Sequence, residues 1–369
     1  MSIKKILVPR WVDQANTNAQ ISNAKAMLSR FSNPDVQWAA LNYESPDPAV
    51  AVRSNVQTRK LIHNGFWRCH TVLQYQATAD AIFYPGGDWF EDWGRRLRRL
   101  TGRDVPMVAT LEGLLGGADR EQEYSEWAKH PVYCQRVEMK TLLRMDELYR
   151  RADHVIAISP FLAEMGRRRY GNKFSVVPLG INDSIFYSKD SSEVNARPRV
   201  VSAGTLQERK RPDIFVELAK RQPEADFVWY GGHGSSERES LLQRIEAEGI
   251  SNLSFPGNVQ PTELAEAFRS ADLFVMPAVS EGVPKVTQEA AACGLPVVLF
   301  GYYEAHSVVD EANGYVVWDD DSFYARVAEL LADAELRSRM GREGTTMAQE
   351  WSWDVIALRW EAQILEVVK

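Results

Sequence analysis

The chain has 369 residues, 45% of them apolar and 25% charged, the make-up of a soluble globular protein long enough for two domains. Its net charge of −7 divides into +5 over residues 1–190 and −12 over the rest, which argues against nucleic acid as a partner and leaves a basic first half able to meet an anionic surface or acceptor. No run of about 18 uncharged apolar residues is present, which excludes a membrane-spanning helix; the three cysteines, Cys69, Cys134 and Cys293, lack the spacing of a disulfide framework or zinc site and fit a reducing cytoplasm.

The opening "MSIKKILVPRWVDQ" reads as a first strand rather than a secretion signal. Further strands are predicted in "VQWAALNY", "AIFYPG", "PMVATLEG", "HVIAIS" and "FSVVPLG", with a helix over 133–151. "WGRRLRRLTGR" (93–103) sets five arginines around leucines, a basic amphipathic face suited either to anionic lipid or simply to solvent, and "GRRRYG" (166–171) adds charge. The polar stretch 188–198, ending in proline, is the best linker. Beyond it strand and helix take turns: "RVVSAG", "RPDIFVELAKR", "DFVWYGG", "ERESLLQRIEAEG", "LSFPG", "PTELAEAFRSA", "LFVMPA", "VTQEAAACG" and "PVVLF". Such alternation predicts a parallel sheet covered on both faces, with ligands beyond the carboxyl ends of its strands.

One of those ends reads "EGVPKVTQE". Gly282 permits an unusual backbone angle, Pro284 sets the turn into a helix, and the amides of Val283, Lys285 and Val286 open that helix without intrahelical partners. Glu281 before the helix and Glu289 one turn inside it are carboxylates suited to sugar or ribose hydroxyls. Either acid alone could merely offset the helix dipole. The small-residue run "AAACG" lets this helix pack close to the sheet.

This stretch resembles the Glu-x7-Glu signature of the retaining GT-B glycosyltransferases of family 4. Residues 152–182, 202–220 and 253–282 resemble the same family, so that roughly the last 220 residues share its pattern and the first 130 match mainly in rhythm. The resemblance implies a GT-B fold: two Rossmann-like, doubly wound α/β domains facing across a cleft, one over 1–190 with the terminal helix of about 350–369, the other over 198–350. It assigns Glu281 to the donor sugar and Glu289 to the ribose. The Gly282–Val286 loop would touch sugar and diphosphate, and Gly257 and Val259 would lie near the base. In the phosphate loop, Gly204 and Lys210 match the family; Thr205 stands where an arginine is expected, with Arg209 close enough in sequence to replace it. Glu112 occupies the position of a family histidine and could orient or deprotonate an acceptor hydroxyl. Asp88 and Trp89 offer a carboxylate and an aromatic face on the acceptor side. Asn16, Thr17 and Asn18 replace a glycine-rich turn.

The activity that the resemblance implies is transfer of a sugar from a nucleotide sugar to a glycan or lipid-linked acceptor, in bacterial polysaccharide or glycoconjugate assembly. Neither metal nor cofactor is expected, and the setting is the cytoplasm, at the inner face of a membrane if the basic first domain docks there. Two rivals stay open: a protein of this fold that holds a nucleotide sugar without transferring it, and a nucleotide-sugar epimerase.

Overall fold

The computed structural model describes residues 4–11, 19–42, 50, 56–60, 78–85, 105–189, 195–232 and 235–368. Asn16, Thr17, Asn18, Cys69, Asp88, Trp89 and the 93–103 stretch lie outside the described residues. The chain divides into two compact units: Met1–Arg120, Cys134–Gly180 and Trp353–Lys369 form the first, Glu121–Tyr133 and Ile181–Ser352 the second.

The first unit is built on seven parallel strands: β1 (Lys4–Trp11), β2 (Val36–Asn42), β3 (Val56–Lys60), β4 (Ala81–Tyr84), β5 (Met107–Leu111), β6 (His154–Ala157) and β7 (Phe174–Val176), in the order β3-β2-β1-β4-β5-β6-β7. Helices α1 (Ala19–Leu28), α2 (Ala118–Ala128), α3 (Met139–Arg151) and α4 (Pro160–Tyr170) connect them, α2 running on into the second unit. β3, "VQTRK", carries no apolar run and gives no strand signal in the sequence. The helix predicted over 133–151 starts only at Met139. The arginines of "GRRRYG" close α4, where cations meet the helix dipole; Arg167 donates to the Phe174 carbonyl and Arg168 pairs with Glu164.

The second unit obeys the same rule with β8 (Arg199–Ala203), α5 (Pro212–Arg221), β9 (Asp226–Tyr230), α6 (Ser235–Ala247), β10 (Leu253–Gly257), α7 (Pro261–Arg269), β11 (Leu273–Met276), α8 (Lys285–Ala292), β12 (Val297–Phe300), β13 (Gly314–Val317), α9 (Asp320–Ala332) and α10 (Ala334–Ala348). Its parallel strands lie in the order β10-β9-β8-β11-β12-β13. Alternate residues of one strand serve opposite cores: Phe274 and Met276 pack with Ala290–Ala292 of α8, Leu273 and Val275 with Phe215 and Phe323. A strand buried on both faces reads as a continuous apolar run, which is why this half is easy to parse from sequence.

The change of unit falls at Gly180–Ile181, not at 190. Ile181 and Phe186 are buried in the second unit's core, and the Ile181 N–H donates to the Trp351 carbonyl. Residues 121–133, expected in the first domain, also belong to the second.

The last helix, α11 (Trp353–Val367), belongs to the first unit. Its Trp360 indole donates to the Pro178 carbonyl at 2.8 Å and packs against Phe83. Glu361 is 5% exposed, and its carboxylate accepts from the backbone N–H of Ser32 (3.0 Å) and Asn33 (3.2 Å) and the indole N–H of Trp38 (3.2 Å). Glu361→Ala strands three donors, so urea unfolding of the variant is expected to show a loss of about 2–3 kcal/mol. A loss below about 0.5 kcal/mol would mean that water satisfies these donors and the carboxylate does not anchor the helix.

Candidate active site

Three neighbouring strands of the second unit end in glycine at one edge of the sheet. Gly204 and Gly231 directly follow β8 and β9, and Gly257 closes β10; their φ angles are +140°, +138° and +92°. The turns are tied together: Gly204 N–H donates to the Tyr230 carbonyl (2.8 Å), Gly231 N–H to the Gly257 carbonyl (2.8 Å), and the Trp229 indole to the Gly204 carbonyl (2.8 Å). A Cβ on Gly231 would stand 2.2 Å from the Gly204 oxygen, and one on Gly204 would stand 2.9 Å from Nζ of Lys210. The site needs glycine here for space as well as for backbone angle.

From Gly204 the chain passes an exposed Thr205 and makes one 3-10 turn, Glu208–Lys210, before α5. This turn faces the loop after β11. Val279 N–H donates to the Arg209 carbonyl (2.8 Å), and Nη1 of Arg209 donates to the Ser280 carbonyl (2.7 Å). Both cations converge on Glu281: Lys210 Nζ lies 2.5 Å and Arg209 Nη1 2.6 Å from Oε1. The Lys210 and Glu281 side chains are 9% and 12% exposed. Burial alone would push the Glu281 carboxyl up, but the Lys210 and Arg209 charges outweigh it and hold the group below its ordinary value. Burial lowers the Lys210 pKa against the pull of Glu281. Arg209 thus places a second positive charge beside Lys210 at Glu281, while Thr205 itself is exposed.

Gly282 and Val283 lead from Glu281 to Pro284, the N-cap of α8. No side chain caps this helix at Pro284. The Thr287 hydroxyl, buried, binds the Pro284 carbonyl (2.7 Å) and the Ser307 hydroxyl (2.7 Å), which fixes the turn. Behind it, Gln288 Nε2 lies 2.9 Å from His306 Nε2. Glu289 is partly exposed, and among the described residues its carboxylate has no hydrogen bond or ion pair. Burial pushes its pKa up to about 7, against a smaller opposing pull from Lys285. Val259 lies half-buried just beyond Gly257.

The second unit therefore gathers Gly204, Thr205, Arg209, Lys210, Gly257, Val259, Glu281, Gly282, Val283, Pro284, Lys285, Val286 and Glu289 on the loops at the carboxyl edge of one sheet, around its β8/β11 switch point. Glu112 belongs to the first unit, at the end of β5, where its Oε2 accepts from Asn23 Nδ2 (3.3 Å). Ser280 is a residue that the sequence alone does not single out. It is 6% exposed, and its hydroxyl accepts from the Tyr133 N–H (3.1 Å), tying residues 121–133 to the Glu281 loop. A partner 147 positions away leaves no local signal. Among the described residues no helix is long and apolar enough to cross a membrane.

The family described as "Glycosyl transferases group 1" matches residues 183–347, and "Glycosyltransferase Family 4" matches residues 39–185. The alpha-galactosylglucosyldiacylglycerol synthase of Streptococcus pneumoniae is 26% identical over 71% of this chain and 71% of its own length. Several other curated relatives align over about half of their own length. Among solved structures, a sucrose-phosphate synthase from Thermosynechococcus elongatus superposes with a TM-score of 0.75 at 20% identity, covering 99% of both chains. HepE of Anabaena, in complex with UDP-glucose, gives 0.73 at 16% identity over 98% of this chain and 99% of its own. With two Rossmann-like sheets and both family segments in sequence, the chain is a glycosyltransferase of GT-B fold and belongs to glycosyltransferase family 4.

Proposed function

We propose that this chain transfers a sugar from a nucleotide-sugar donor to a hydroxyl of a glycan or lipid-linked acceptor, with retention at the anomeric carbon. The observation that carries the proposal is the convergence of Lys210 and Arg209 on Glu281, at the start of a helix that no side chain caps and within the same loop cluster as Glu289. A bound donor takes over these partners. Lys210, Arg209 and the α8 amides turn to the diphosphate and stabilise the negative charge that grows as it leaves. Glu281, relieved of one cation, accepts from the sugar hydroxyls, and Glu289 accepts from the ribose. The leaving phosphate takes the acceptor proton on the same face, so no protein base is required. Cationic side chains and amides meet the diphosphate charge in this scheme without a metal. The glycolipid named for the pneumococcal relative and the UDP-glucose bound to HepE support the donor and acceptor classes. Polysaccharide or glycolipid assembly at the cytoplasmic face of a membrane is the proposed setting.

The test is thermal shift against UDP-, GDP-, ADP-, CDP- and dTDP-sugars, since a ligand of the folded state raises Tm. One class should stabilise the wild type, and Glu289→Ala should weaken that effect. Glu289 also gives the response a sign in pH. A carboxyl whose folded pKa is raised from 4.5 to about 7 favours the fold when protonated, so stability of the free protein falls as pH rises through that window. Ribose hydroxyls favour the ionised form. Donor affinity should therefore rise about tenfold from pH 6 to 8, and Glu289→Gln should lose this excess slope relative to wild type. Equal slopes in the two proteins would remove Glu289 from the donor site; no shift with any nucleotide would remove the donor reading altogether. The anomeric configuration of the product, read by proton NMR, decides retention.

A further inference from the structure

Past the Glu281 loop, the carboxyl ends of β12 and β13 carry a row of aromatic rings that the donor site does not use. Tyr302 follows β12 by two residues and Trp318 follows β13 directly. The two rings meet edge to face at 5.8 Å; Tyr302 also stacks on the buried Phe300 at 5.5 Å and has His130 at 6.1 Å. Trp318 is 60% exposed, yet it is held firmly. Its indole lies against Gly301, where a Cβ would come within 2.5 Å of the ring, and the Tyr302 hydroxyl donates to the Trp318 carbonyl. A single exposed aromatic ring is ordinary on a protein surface. An exposed ring seated on a glycine, with its backbone pinned by a second ring that itself stacks on the core, is a built apolar face.

Its place in the sheet gives it an orientation. The proposed base contact lies at β10, the phosphate loop at β8 and the sugar carboxylate at β11; β12 and β13 continue the same line on the sugar side. Two strand spacings, about 10 Å, separate the end of β11 from that of β13. The platform is also joined to the phosphate loop. Arg211, next to Lys210, donates to Asp213 (2.9 Å) and to Asp320 (3.0 Å), and Asp320 stands two residues after Trp318. Aromatic faces stack on the C–H faces of sugar rings.

We infer that Trp318 and Tyr302 form a subsite for a sugar residue of the acceptor, so that the acceptor is a glycan or glycolipid already bearing at least one sugar and not a bare lipid alcohol. The inference rests on the donor reading above for its direction along the sheet. The experiment is saturation-transfer NMR of the protein with methyl glycosides of glucose, galactose and mannose and with lactose, maltose and cellobiose, in the presence of UDP. At least one sugar should receive saturation at its ring C–H protons. The effect should fall by more than half in Trp318→Ala and persist in Trp318→Phe, and the weakening corresponds to about a tenfold loss of affinity. Trp318 is exposed, so the variant is expected to fold, and retention of its nucleotide-induced Tm shift checks this. A wild type that takes up none of these sugars, or a Trp318→Ala variant with undiminished transfer, overturns the subsite. The two readings fail separately: nucleotide shift without sugar contact sinks the platform alone, and sugar contact at Trp318 without nucleotide shift sinks the donor reading alone.

Discussion

Lys210→Ala is expected to lower kcat by about 10²–10³-fold, the cost of removing one preorganised donor from a developing anion in a site shielded from water. The geometry says why this residue should matter more than its neighbour. Lys210 is almost fully buried, with its ammonium 2.5 Å from Glu281 and wedged over Gly204, whereas Arg209 is 29% exposed and keeps hold of the Ser280 carbonyl as well. A buried ammonium that exchanges one carboxylate for a diphosphate moves little and reorganises little water. Lys210→Met keeps most of the volume without the charge, and it should fall as far as alanine in kcat while losing less Tm. Arg209→Ala should cost less, about tenfold, because its charge is shared with solvent. Steady-state kinetics with a saturating donor separates these outcomes. Lys210→Met within about threefold of wild type would show that the lysine only neutralises Glu281 in the resting protein.

How far this site can be read from sequence depends on where each contact comes from. β11, its loop and α8 are contiguous, so Glu281, Pro284 and Glu289 carry their geometry in their spacing, and the apolar runs LFVM and VVLF announce strands buried on both faces. Lys210 stands out only by resemblance, and Arg209 only as a nearby charge in "ERKR"; a charged turn looks the same whether it is solvated or aimed at a carboxylate 71 residues later. A left-handed turn at Arg211 ends the 3-10 segment, and the two cations before it both reach Glu281, a contact that the Thr205 position does not announce. β13 and β3 escape recognition: one is four residues of "GYVV" after a turn, the other is polar, and each is specified by its sheet neighbour more than by itself. The membership of 121–133 in the second unit is likewise unreadable, because it depends on Ser280 and Tyr302, far along the chain.

Gly231→Ala should be among the most damaging small substitutions in the second unit, with a loss of about 3–5 kcal/mol. Two independent costs combine. At φ +138° an L side chain is strained by about 1–3 kcal/mol, and a methyl 2.2 Å from the Gly204 oxygen must push one strand end off the next at a further cost of about 1–3 kcal/mol. That oxygen is also the acceptor for the Trp229 indole, so displacement of Gly204 loosens a core ring that is fully buried. Tm is expected to drop by about 10 °C for a unit of this size. The functional loss should be larger than the stability loss implies, since Gly204 carries the floor beneath Lys210 and any shift there moves the ammonium relative to Glu281. Gly232→Ala is the control: its φ is not positive, and its Cβ would meet only the Asn258 side chain at 3.1 Å, which can turn away. That variant should lose less than about 1 kcal/mol and keep its nucleotide-induced Tm shift. If both variants behaved alike, the three glycine turns would be interchangeable surface loops, and they would not set the height of Lys210 over the site.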